Sequence, residues 1–212
     1  KALAVNLSDL AACGARPVAF MLSLALPRAD EAWLAGFSEG LLALADAHGC
    51  ELVGGDTTQG PLNISITVFG EVPPGDALLR SQAQPGDDIY ISGQVGDARM
   101  ALEVFRGHMT LSGEAFARCR ARMERPTPRV ALGMALRGIA HAAIDVSDGL
   151  LGDLGHILAR SGYGAQVQTR WLEGSSATSA DLLDLSWNKR LDMALAGGDD
   201  YELLFTAPRA MR

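Results

Sequence analysis

From Leu62 to Phe69, the apolar residues Leu62, Ile64, Ile66 and Val68 alternate with Asn63, Ser65, Thr67 and Phe69. A period of two puts each set on its own face of an extended strand, a pattern no helix can keep on one side. Earlier in the chain the period changes. Trp33, Leu34, Phe37, Leu41, Leu44 and Ala45 recur at helical spacing, after a turn and cap at Pro27 to Asp30 and before Gly49, which is placed for a left-handed C-terminal cap. Val18 to Leu26 reads as a buried extended segment. A helix packed on a sheet satisfies all three, so the class is α/β.

The segment Glu71 to Asp87 carries Pro73, Pro74, Gly75, Pro85 and Gly86, the composition of a boundary between units. It divides the chain into a unit over 1–75 and a second over 76–212. Beyond it, Asp88 to Ser92 reads as a strand, and Asp97 to Phe105 and Gly113 to Glu124 as helices. Pro126 and Pro128 reset the chain before a helix over Arg129 to Leu136. A strand and helix follow through Ala142 to Arg160, and Tyr163 to Thr169 and Tyr201 to Thr206 read as further strands. This order mixes α and β without the strict alternation of a doubly wound sheet.

Net charge restricts the partners. At -7, with no basic run, the chain offers no surface for a nucleic acid or an anionic membrane. Val18 to Leu26, the longest apolar stretch, is about half of the roughly 20 residues a membrane-spanning helix needs. Three cysteines, Cys13, Cys50 and Cys119, form no CxxC pair, which disfavours a disulfide framework or zinc site and fits a reducing cytoplasm. The chain opens on Lys1 within an apolar run and stops at Arg212 soon after a strand, as expected of a piece cut at both ends.

The chemistry is concentrated where acidic residues stand beside glycine or serine at the end of an apolar segment. Four places do this: Asn6 to Asp9, Gly54 to Thr57, Asp145 to Gly149 and Gly197 to Asp200. A carboxylate there can hold a hard cation, and bare glycine backbone lets a phosphate come close. Each place alone also suits an ordinary turn or cap; for the third, the cap would be Ser147 or Asp148 at a helix start. There is no Walker A loop, no protein-kinase signature and no GxSxG, and the histidines His48, His108, His141 and His156 lack metal-ligand spacing and suit surface or packing roles.

Five segments in order, KALAVNLSDLAACGARP from Lys1, GGDTT from Gly54, LLRSQAQPGDDIYISG from Leu78, AIDVSDGLLGDLGHI from Ala143 and GGDDYELLFT from Gly197, resemble the thiamine-monophosphate kinase family of the AIR-synthetase-like superfamily. The resemblance implies transfer of the γ-phosphoryl group of ATP to thiamine monophosphate, with magnesium and without a catalytic general base. It implies Asp9, Asp56, Asp145 and Asp148 as magnesium ligands, Gly55, Asp56, Arg80 and Ser147 at ATP, and Asp199 at the substrate, with Asp200 or Glu202 as alternative contacts. Asp199 stands where the family commonly has glutamate, and Cys13, where methionine is frequent, is expected to pack. The implied fold has two α/β domains. Strands of the N-terminal one form a β-barrel across a homodimer, the C-terminal one sets helices on a mixed sheet, and the site lies between them. The family also has segments before Lys1 and after Arg212. The competing expectations are another ATP-dependent member of the superfamily acting on a different acceptor, and an inactive dimerising or nucleotide-sensing fragment.

Overall fold

The computed structural model describes all residues, Lys1–Arg212. Helix α1 (Ala2–Ala12) leads into β1 (Arg16–Leu26), α2 (Glu31–Ala47), β2 (Glu51–Gln59) and β3 (Asn63–Glu71). These strands form one sheet in the order β2-β1-β3, β1 pairing parallel to β2 and antiparallel to β3. The β1–α2–β2 crossover explains why two parallel neighbours are separated by a helix. Asp30 caps α2 by accepting the Trp33 amide at 3.1 Å, and Gly49 is left-handed (φ 58°) just beyond its end, as the spacing predicts.

After β4 (Asp88–Ile91) come α3 (Asp97–Phe105), α4 (Gly113–Glu124), α5 (Val130–Ala135), β5 (Ala142–Asp145), α6 (Leu150–Ser161), α7 (Ala180–Leu183), α8 (Trp187–Ala196) and β6 (Leu203–Ala207). The second sheet is antiparallel, in the order β4-β6-β5. Helix α1 joins the two sheets. Its Leu3, Leu7 and Ala11 are buried in one cluster with Phe20 of β1, Leu41 of α2, Ala143 of β5 and Leu203 of β6. A second cluster lies between α6 and its sheet, and a third gathers α3, α4, α7 and α8 around Met100, Leu172 and Leu182.

Four expectations are corrected. Tyr163 to Thr169 is not a strand: the chain is irregular up to a 3₁₀ turn at Thr169–Glu173, and neither sheet pairs with it. Val18 to Leu26 is not buried throughout. Phe20 is fully covered, whereas Val18 and Met21 are 37% and 42% exposed, so β1 is hidden only in part. The GGDTT segment does not end an apolar piece but continues β2, with Gly54, Gly55 and Asp56 opposite Met21, Leu22 and Ser23. The last strand starts at Leu203 rather than Tyr201, because Tyr201 has a left-handed backbone (φ 52°) that no strand accommodates.

No helix is long and apolar enough to cross a membrane.

Candidate active site

Two loops meet at one end of the second sheet. Val146 to Gly149 leads from β5 into α6, and Gly197 to Glu202 leads from α8 into β6. Their main chains are bonded together. The Val146 amide donates to the Glu202 carbonyl, the Tyr201 amide to the Val146 carbonyl and the Asp199 amide to the Ser147 carbonyl, each at 2.8 Å. Gly198, at φ 77°, faces the same contact, where a Cβ would come within 2.6 Å of the Ser147 carbonyl oxygen. Its glycine is therefore required by close approach of the two backbones.

The first loop is organised from behind. Neither Ser147 nor Asp148 caps α6; the N-cap is Gly149, without a side-chain bond. Instead buried Asp153, one turn into the helix, accepts the amides of Ser147, Asp148 and Gly149 at 3.0, 3.1 and 3.2 Å through one carboxylate oxygen. That leaves the side chains of Ser147 and Asp148 uncommitted to capping. Burial raises the Asp153 carboxyl, and the bonds it accepts pull it back. Sequence reading passed over this residue, although an acidic side chain in a first helical turn is the available signal.

Helix α1 contributes the third wall. Ser8 donates to buried Asp145 at 2.8 Å, tying the end of β5 to α1, and Asp9 follows on the exposed side. Desolvation and then the Asp145 charge raise the Asp9 carboxyl, with Arg80 opposing. Asp145 is raised by burial, against the Ser8 bond and Arg80, and the Asp148 charge adds to the rise. Lys1 pairs with Asp199, and its ammonium lies 5.7 Å from the centre of the Tyr201 ring. Burial, with Asp199, Asp145 and Asp9 nearby, drives the Tyr201 hydroxyl up. Asp9, Arg80, Asp145, Ser147, Asp148 and Asp199 thus share one neighbourhood of interacting charges and bonded loops.

Gly55 and Asp56 lie on β2, in the first sheet, and take no part in these bonds. Asp56 is exposed on β2 and accepts the Thr57 amide at 2.9 Å, and Gly55 (φ 147°) faces β1, where a Cβ would lie 1.8 Å from the Leu22 carbonyl oxygen. No three or more His, Cys, Asp or Glu side chains converge as metal ligands do. Cys13 does not pack inside as expected; it is exposed, and desolvation and the Asp9 charge push its thiol up. The two alternative substrate contacts are committed elsewhere. Asp200 accepts the Gly96 amide at 3.0 Å, and burial raises its carboxyl well above the usual range. Glu202, 2% exposed, is gripped by Arg129. Two of the histidines pair with acids away from these loops, His141 with Asp87 at 2.9 Å and His108 with Glu103 at 2.8 Å.

Residues 1–72 match the family described as AIR synthase related protein, N-terminal domain. Its sequence is 49% identical over 213 residues to the thiamine-monophosphate kinase of Salmonella typhimurium, all of this chain aligning with 65% of that protein's length. The crystal structure of thiamine-monophosphate kinase from Stenotrophomonas maltophilia superposes with a TM-score of 0.92 at 50% identity, covering 99% of this chain and 67% of that one. AaThiL, solved in complex with AMPPCP and TMP, superposes with a TM-score of 0.86 at 29% identity, over 99% of this chain and 68% of its own. The chain belongs to the thiamine-monophosphate kinase family.

Proposed function

We propose that this chain is part of an ATP-dependent kinase that transfers the γ-phosphoryl group of ATP to thiamine monophosphate, giving thiamine diphosphate and ADP. The observation that carries this reading is the bonded pair of loops, which brings Asp145, Ser147 and Asp148 beside Asp199 and next to Asp9. Curated relatives named for this activity, and a relative solved with AMPPCP and TMP, support it.

The acceptor is a phosphate monoester with a second pKa of about 6, so near neutral pH it is already largely a dianion. No side chain need deprotonate it, and the site has no histidine among its charges. Repulsion between anions is the barrier. Asp9, Asp145 and Asp148 offer only oxygen donors, and the Asp145 charge raises the Asp9 carboxyl as the Asp148 charge raises that of Asp145, a repulsion that a hard divalent cation would relieve. Magnesium would supply charge neutralisation between the two phosphates, held by Asp9, Asp145 and Asp148 drawn together around it, with Asp56 contributed from the first sheet. Arg80 and the Ser147 turn, with Gly55 and Asp56, bind the nucleotide, and Asp199 faces the acceptor. The units over 1–75 and 76–212 act as the two domains that flank this site, in a cytoplasmic enzyme.

The assay is magnesium-dependent formation of thiamine diphosphate from ATP and thiamine monophosphate by the complete polypeptide. Turnover supports the reading; ADP release without thiamine monophosphate, or no transfer by that polypeptide, overturns it.

The first sheet supports a homodimer closed as a barrel. Val18, Met21, Leu52, Val53, Leu62 and Phe69 on and beside its strands are all exposed, an apolar surface that monomers rarely leave in water. Sedimentation is expected to give a dimer at micromolar concentration, and Met21→Lys with Phe69→Lys is expected to give monomer. A wild-type monomer at every concentration would remove the dimer.

A further inference from the structure

Asp199 and Tyr201 are both left-handed, at φ 65° and 52°, and neither is glycine. L side chains resist this conformation, so the turn persists only if it is fixed from both sides. Upstream, the Asp199 amide is bonded to the first loop. Downstream stands Glu202, whose environment exceeds what a strand start needs. Arg129 donates to its two oxygens through Nε and Nη2, each at 2.6 Å, and the Ser92 hydroxyl donates at 2.6 Å. Arg122 adds a longer bond of 3.4 Å. Ser92 in turn accepts the Leu203 amide at 2.8 Å, and at Gly93 a Cβ would lie 2.4 Å from a Glu202 carboxylate oxygen.

We propose that Glu202, locked by Arg129 and Ser92, is a positioning residue that holds the Asp199–Tyr201 turn in its left-handed form and so aims Asp199 at the acceptor. The inference rests on the function proposed above. Glu202 cannot itself be the acceptor contact, since both of its oxygens are engaged and the side chain is sealed from solvent. The bidentate grip fixes the carboxylate in rotation as well as position, which a lysine, a point charge, cannot reproduce. Loosened, the turn relaxes toward ordinary backbone angles and Asp199 moves, whereas Asp145 and Asp148 keep their support from Asp153 and Ser8.

The test uses the complete polypeptide and two variants, Arg129→Lys and, should that fail to fold, Ser92→Ala. The expected result is a KM for thiamine monophosphate raised about ten- to a hundred-fold, the cost of misplacing a positioning group by about 1 Å, with KM for ATP changed less than about two-fold. Amide exchange should quicken across 198–203 and stay at the wild-type rate across 147–153. Unchanged exchange at 198–203, or both KM values rising together, would overturn the proposal. A wild-type protein with no transfer activity would instead remove the function proposed above, and the exchange data would still decide whether the lock holds the turn.

Discussion

Asp9→Asn in the complete enzyme is expected to lower kcat for thiamine diphosphate formation about 10³-fold, equivalent to about 4 kcal/mol of transition-state stabilisation. The protein should remain as stable as the wild type. Asp9 lies on the exposed side of α1, and its charge is opposed by desolvation and by Asp145, so neutralising it relieves repulsion in the folded state. Loss of activity without loss of fold is therefore the signature of a ligand to a cation. A magnesium titration distinguishes this from simple positioning, because the variant should also need far more metal to reach its reduced rate. Near-normal turnover at limiting magnesium would sink the assignment.

The second large effect concerns stability. Gly55→Ala places a methyl group 1.8 Å from the Leu22 carbonyl oxygen, at a φ of 147° that L residues avoid. The obstacle is the backbone of the central strand, which cannot turn aside as a side chain would. A loss of about 4 kcal/mol is expected, in the upper tail for single substitutions, and with it a fall in Tm of about 10 °C. Gly54→Ala is the matched control, since nothing lies within 4 Å of its Cβ position and its backbone is not left-handed. Its Tm should shift by no more than about 2 °C. Equal melting of the two variants in calorimetry would show that the β1–β2 contact is not what requires the glycine. The glycine beside the candidate nucleotide residue Asp56 is thus explained by strand packing before any ligand is considered.

Local chemistry made much of this legible. The alternation of Leu62 to Phe69 led to β3, the apolar stripe from Trp33 to Ala45 to α2, and the Asp-Gly clusters at 145–149 and 197–200 to loops that the structure bonds together. What stayed hidden depends on partners distant in sequence. Asp153 looks like a surface acid on a helix until the fold turns it back beneath three amides. Glu202 looks like a polar strand residue until Arg129 arrives from the start of α5. GGDTT suits the end of an apolar segment or an ordinary turn by its composition, yet pairing with β1 keeps it extended. Tyr163 to Thr169 has strand-like residues but no strand in either sheet to pair with, so it stays irregular.

The contact between the Val146–Gly149 and Gly197–Glu202 loops is made of peptide groups alone. A frame written in atoms that every residue shares does not record which side chains it carries. Positions 147, 148 and 199 can drift without loosening it, whereas Gly198 cannot. Asp199, a shorter acid than the family's common glutamate, is one such change: it alters the reach of the site by a methylene and leaves the scaffold beneath it untouched. Such a division lets selection retune what the pocket recognises while the architecture stays fixed.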